Sequence, residues 1–346
     1  MARADRPVGD RQTVTLRRLG FLTIGLFDPA QPRGGHETTL QLIELGERLG
    51  FDSAWVRQRH LQFGISSPAT VLAAASQRTS RISLGTAVIP LGAENPLRLA
   101  EDLATVDVLS GGRLNPGFST GTPMHFDDYK EALYPGTWRD EDLSYARLLR
   151  FRGFVRGDQV SSFTGREGIE DYSERVEPFA AGLAERLWYG AGSTRSARWA
   201  GANGFHLLTS SVVQSENGVT DFGAVQRAQI DAYREARGEG GRVSQGLVVI
   251  PTDSATAAQV ERYRSYAASR AHRVGVPQGP RGMLFAADLV GPSAEIASRL
   301  HDDPAFQAVD EVAFALPFSF EHDDYVQLLT DIAASLAPLL GWSPQL

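Results

Sequence analysis

The residues best suited to chemistry lie in the run Trp188-Tyr189-Gly190-Ala191-Gly192-Ser193-Thr194-Arg195-Ser196. An apolar stretch stops there at glycine, and a hydroxyl-rich cluster opens a segment of helical composition. A strand that turns into a helix leaves its first amides without intrahelical partners, which makes an anion site. Gly192 lets an anion approach, and the hydroxyls of Ser193 and Ser196 add donors beside the amides. The plainer reading is that Ser193 caps the helix and nothing more. A second group, Arg57, Arg59 and His60, follows another apolar run. They sit where a barrel would place catalytic groups, although a histidine and two arginines in a solvated loop would look the same. Thr86-Ala87 and Ser119-Thr120 end two further apolar runs with small, hydroxyl-bearing residues.

Alternating elements must position these groups. Strand patterns occupy residues 19–27, 51–57, 81–89, 113–119, 186–191, 205–209, 246–251 and 311–316. Helical patterns follow at 38–49, 68–78, 96–109, 139–156, 194–202, 219–236, 254–273 with 292–300, and 323–339. Eight strands, each followed by a helix, predict an α/β fold of the (β/α)8 TIM-barrel type, with an open doubly wound sheet as the competing topology. The chain exceeds the usual length of that barrel, and the surplus falls as insertions between strands 4 and 5 and between strands 7 and 8. The reading is one barrel domain over residues 18–340 behind a flexible tail at 1–17. In such a barrel the C-terminal strand ends form the site, and all the residues named above fall there. The polar stretch at 157–178 reads as a lid or dimer arm.

Composition narrows the chemistry. The chain has 346 residues, a net charge of −7 and no basic block, which argues against nucleic acid and anionic membranes as partners. There is no cysteine, so disulfides, thiolate metal sites and cysteine nucleophiles are excluded. Lys130 is the sole lysine, set among acidic neighbours that oppose the pKa lowering a Schiff base needs. The seven histidines form neither a His-x-His nor a His-Glu-x-x-His pattern, so no metal site is expected. No apolar run is long enough to span a bilayer, and a soluble cytoplasmic protein is the expectation. Small, hydroxyl-lined strand ends suit a planar cofactor that carries the redox chemistry itself.

Several motifs in order then carry a resemblance: Gly50-Phe51-Asp52-Ser53-Ala54-Trp55-Val56 with Gln58-Arg59-His60 and Phe63-Gly64; Leu84-Gly85-Thr86-Ala87-Val88; Leu109-Ser110-Gly111-Gly112-Arg113-Leu114; and Gly192-Ser193 through Trp199-Ala200. From about residue 18 to 336 the chain resembles the bacterial luciferase-like flavin-dependent monooxygenases, and within them the uncharacterised FMN-dependent branch. The resemblance implies reduced FMN supplied by a separate flavin reductase, oxygen added at the flavin C4a position as a hydroperoxide, and oxidation of a small-molecule substrate. It places the phosphate at Gly192, Ser193 and Ser196, and Thr86 and Ala87 against the isoalloxazine, with a non-prolyl cis peptide between Ala87 and Val88. Ser119 would face the flavin, with Thr120 where luciferases hold a phosphate-binding arginine. His60, with Arg59 and Arg57, would supply catalysis, Arg59 standing where the family has the first histidine of its pair. An F420-dependent hydride-transfer enzyme on the same barrel, and a flavin-binding barrel without turnover, are the alternatives. The family habit of pairing implies a homodimer, with the small apolar faces of Leu72 to Ala75 and of Leu99, Ala100, Leu103 and Ala104 as its surface.

Overall fold

The computed structural model describes residues 15–344. Eight parallel strand positions form a closed ring: β1 (Arg18–Thr23), β2 (Ser53–Val56), β3 (Ser83–Thr86, resumed at Ile89–Pro90), β4 (Leu114–Asn115, resumed at Gly117–Ser119), β5 (Trp188–Gly190), β6 (His206–Leu208), β7 (Val243–Gln245) and β8 (Glu311–Ala315). Each pairs in parallel with the next, and β8 pairs back onto β1 through Arg18↔Glu311 to Leu22↔Ala315. The expected barrel is therefore the fold. β3 and β4 are each interrupted, at the cis Ala87–Val88 bond and at Pro116, and the two halves of one still pair with the two halves of the other.

Tryptophans fill the barrel interior. Trp55 and Trp188 meet edge to face at 5.4 Å, with Leu208 and Ala313 around them. This packing needs glycine on both neighbouring strands: a Cβ on Gly85 would lie 2.2 Å from the Trp55 ring, and one on Gly20 would lie 2.3 Å from Ser53 Oγ. Ser53 Oγ in turn accepts from Trp55 Nε1 at 2.9 Å. Around the ring lie α1 (Pro32–Arg48), α2 (Pro68–Ser76) and α3 (Pro96–Ser110), then α4 (Phe126–Leu133) and α5 (Tyr145–Arg156), α6 (Thr194–Ala202), α7 (Phe222–Arg237), α8 (Ala257–Arg270), α9 (Ser293–Asp302) and α10 (His322–Asp331).

Both expected insertions are present. The first carries α4, α5 and an exposed hairpin of Gly165–Glu167 with Glu170–Tyr172, inside the stretch read as a lid or arm. The second changes the seventh strand. The apolar run at 246–251 is not the barrel strand; Val249–Pro251 pairs instead with Leu289–Gly291 in a separate parallel pair. The barrel position belongs to Val243–Gln245, whose polar Ser244 and Gln245 are buried. Gln245 Nε2 donates to Gln226 Oε1 at 2.6 Å, and such a partner on α7 cannot be read from local hydropathy.

The N-terminal boundary of the packed chain shifts. Residues 1–14 of the expected tail lie outside the described residues. Leu16 is buried and its amide donates to the Leu340 carbonyl at 2.9 Å, so the packed chain extends before residue 18. Of the faces read as a dimer surface, Leu72, Ala75, Leu99, Ala100, Leu103 and Ala104 are buried in the common core, while Ala73 is half-buried and Ala74 exposed. Among the described residues no helix is long and apolar enough to cross a membrane.

Candidate functional site

The loop after β2 folds back over the barrel mouth. Arg57 N donates to Thr23 O and Arg59 N to Ile65 O, which turns the segment into a compact wall. A cavity of about 400 Å³ lies against it, lined by Arg57, Arg59, His60, Met124, Tyr129 and Phe318 among others. The structure thus brings the three expected catalytic residues to one cavity. It adds Tyr129 from α4 and Phe318 from beyond β8, which arrive from distant parts of the chain.

The two arginines are poorly compensated. Arg57 Nη2 donates to Gln62 Oε1 at 2.8 Å and its guanidinium lies 5.2 Å from the Phe318 ring centroid, but its buried Nε has no partner. Burial, and then the neighbouring Arg59 charge, push its pKa down to about 10. Arg59 donates to the Gln58 carbonyl at 3.3 Å, and burial lowers it too. Among the described residues neither forms an ion pair with a carboxylate. Two half-desolvated cations at one cavity favour an anionic or carbonyl-bearing guest. Burial pushes the His60 pKa below its ordinary value, so the ring is neutral at pH 7. It packs 5.2 Å from Tyr129 and 3.4 Å from Gln58 Nε2.

The expected cofactor residues lie elsewhere on the mouth and do not line this cavity. Thr86 is fully buried, and its hydroxyl donates to Gly117 O at 2.9 Å while accepting from Gly117 N at 2.8 Å. It stitches β3 to β4 at their interruptions and has no hydrogen left for a ligand. The Ala87–Val88 bond is cis, as the resemblance implies, and both residues pack against the interior tryptophan cluster. Ser119 ends β4, half-buried, opposite Pro90. Thr120 Oγ1 lies 3.0 Å from the Tyr189 hydroxyl.

At the β5–α6 turn the capping reading is the one the geometry realises. Ser193 Oγ accepts from Ser196 N at 3.2 Å, Ser196 Oγ accepts from Ser193 N at 3.1 Å, and the two hydroxyls lie 3.0 Å apart. The anion-binding reading also finds an anion, but it belongs to the chain. Glu216 Oε2 accepts from Thr194 N at 2.8 Å and from Thr194 Oγ1 at 2.6 Å. The helix N-terminus is thus satisfied by a carboxylate. A flavin phosphate held at Gly192, Ser193 and Ser196 would lie beside this carboxylate, which occupies the Thr194 amide and hydroxyl, while the space over Gly192 is open. Beyond strand 7, Asp253 accepts from Ser293 N and Oγ, and Ser254 N and Oγ donate to Asp331. Sequence reasoning missed Glu216, Glu94 and Tyr129, since each acts through a partner remote in the chain or through burial, and it named Gln58 without a role.

The model of the luciferase-like monooxygenase family matches residues 18–313. The alkanal monooxygenase alpha chain of Photorhabdus laumondii subsp. laumondii is 26% identical over 216 residues, which cover 59% of this chain and 55% of that one. The match thus spans little more than half the length of that curated relative. The oxygenating constituent of 3,6-diketocamphane monooxygenase from Pseudomonas putida, solved in complex with FMN, superposes with a TM-score of 0.65 at 14% identity, covering 94% of this chain and 98% of that one. The F420-dependent tetrahydromethanopterin reductase of Methanopyrus kandleri superposes with a TM-score of 0.60 at 17% identity, covering 94% and 99%. At such identities the two structures share the fold. The family match covers most of the chain, and the protein belongs to the luciferase-like monooxygenase family.

Proposed function

We propose that the protein oxidises a small organic molecule with molecular oxygen, working with reduced FMN delivered by a separate reductase. The observation that carries this reading is the mouth cavity, where two uncompensated guanidinium groups and a neutral histidine converge on a barrel of the monooxygenase family. The redox chemistry belongs to the flavin, and the chain's own part is derived from its side chains. Arg57 and Arg59 hold a carbonyl or anionic group of the substrate. His60 meets the charge that develops on the substrate oxygen. Phe318 and Met124 supply apolar wall and exclude water. An F420-dependent hydride transfer is the second reading, favoured by the F420-dependent fold neighbour.

An anaerobic titration separates the two. Reduced FMN is expected to give a saturating absorbance change, and reduced F420 none. Glu216 sets a further expectation. In Glu216→Gln the like charge beside the α6 amides is gone, and a phosphate gains charge-assisted hydrogen bonds worth roughly 1.5–3 kcal/mol each. FMN should then bind at least tenfold more tightly, while riboflavin, which lacks the phosphate, should bind as before. Saturation by F420 alone, or by no cofactor in either variant, overturns the proposal. Equal FMN affinity in the two variants moves the phosphate away from α6.

A further inference from the structure

Behind His60, and outside the set of residues just assigned, stands a chain of polar groups. Gln58 is buried, and its Nε2 lies 2.5 Å from Glu94 Oε1 and 3.4 Å from His60 Nε2. An amide nitrogen carries two hydrogens and offers no lone pair to accept with. Both contacts are therefore donations, one to the carboxylate and one to the ring. A ring nitrogen that accepts carries no proton, so in neutral His60 the proton sits on Nδ1.

The orientation of the amide is what decides this, and Glu94 sets it. With Glu94 ionised, turning Gln58 over would press its oxygen against the carboxylate at 2.5 Å, two acceptors face to face with no hydrogen between them. Glu94 is itself clamped. It follows the short helical turn Leu91–Ala93, and its carbonyl accepts from Arg147 Nε at 3.2 Å and also from Arg147 Nη2. Arg147 is buried, with Nη1 paired to Glu141 at 2.7 Å and Nη2 donating to Tyr134 at 2.7 Å. The next residue, Asn95, caps α3 through Leu97 N and Arg98 N. The carboxylate thus projects from backbone fixed on both sides.

We propose that Glu94 is a positioning residue that acts through Gln58 to hold His60 in its Nδ1–H tautomer, which makes the ring a hydrogen-bond donor at its remaining nitrogen. The proposal deepens the reading of His60 as the group that meets charge developing on substrate oxygen. A donor aimed at a developing oxyanion is useful there, whereas a bare ring nitrogen would repel it.

The test is a nitrogen-15 spectrum of the full-length protein, labelled at histidine and recorded without flavin, with the His60 signals identified by their loss in His60→Ala. The expected wild-type pattern is protonated Nδ1 and bare Nε2. Gln58→Leu removes the donor, and Glu94→Ala frees the amide to turn. Each should shift the His60 population towards the Nε2–H form. Glu94→Gln keeps an acceptor oxygen facing Gln58 and should restore the wild-type pattern, which a merely structural role for Glu94 does not require. A wild-type ring protonated on Nε2 overturns the proposal even if the variants fail to fold. So does an unchanged tautomer in both Gln58→Leu and Glu94→Ala. Because no cofactor is present, these outcomes are independent of the flavin titration.

Discussion

His60→Ala is expected to slow substrate oxidation by about 10²-fold or more, the usual scale for loss of a positioned acid–base or oxyanion-stabilising group. His60 lies on the β2 loop, and among the described residues no hydrogen bond or ring contact joins it to the α6 turn or to Glu216. Flavin affinity should therefore stay nearly unchanged while turnover falls. Oxygen reduced without product formation leaves as hydrogen peroxide, so the peroxide released per oxygen consumed should rise. An oxygen electrode combined with a peroxide assay reads both quantities. If His60→Ala remains fully coupled at the wild-type rate, the ring has no part in the chemistry.

The second large effect is on stability. Ser110-Gly111-Gly112-Arg113, one of the motifs that carry the family resemblance, is structural. Gly111 and Gly112 take positive φ values of 69° and 84° as α3 ends. The turn delivers Arg113 into the gap beside α2, where all five guanidinium hydrogens find acceptors. Nε donates to Ser110 O at 2.8 Å, Nη1 to Thr79 Oγ1 and Ile82 O, and Nη2 to Ser76 O and Thr79 O, each of the last four at 2.9 Å. One planar fork thus ties the end of α2 and the start of β3 to the α3 turn. Arg113→Ala strands several partly buried carbonyls, and the expected loss is ~3 kcal/mol or more, measured as a lower urea midpoint. Lysine cannot reproduce the fork and should recover only a minor part. A loss below ~1 kcal/mol would show that water replaces the guanidinium, as it does at exposed sites.

Much of this fold is legible in the sequence, because the βα rhythm is written in local hydropathy. The α6 helix follows its capping signal, and the strand ends that bear Arg57, Thr86, Ser119 and Gly192 all lie at the mouth. What local pattern does not contain is long-range pairing. The seventh barrel strand carries buried Ser244 and Gln245, with Gln245 satisfied from α7, so the neighbouring apolar run looked the better strand. Small residues on α2 and α3 suit a protein–protein face and intramolecular packing equally; here most pack inward while Ala74 stays exposed. The Gly-Ser turn reads as an anion site, yet nothing nearby announces that Glu216, twenty-two residues on from Thr194, supplies the anion. The polar line from Glu94 to His60 likewise joins residues that only the closed barrel brings together.

The most direct measurement of the central claim is oxygen consumption by the purified protein with chemically reduced FMN, in isotopically labelled oxygen, against a panel of aldehydes, ketones, sulfonates and nitrogen heterocycles. At least one class is expected to raise oxygen uptake saturably and to gain one labelled oxygen atom per turnover. Flavin reoxidation that no compound alters, alongside substrate reduction or oxidation with F420 that consumes no oxygen, would contradict it.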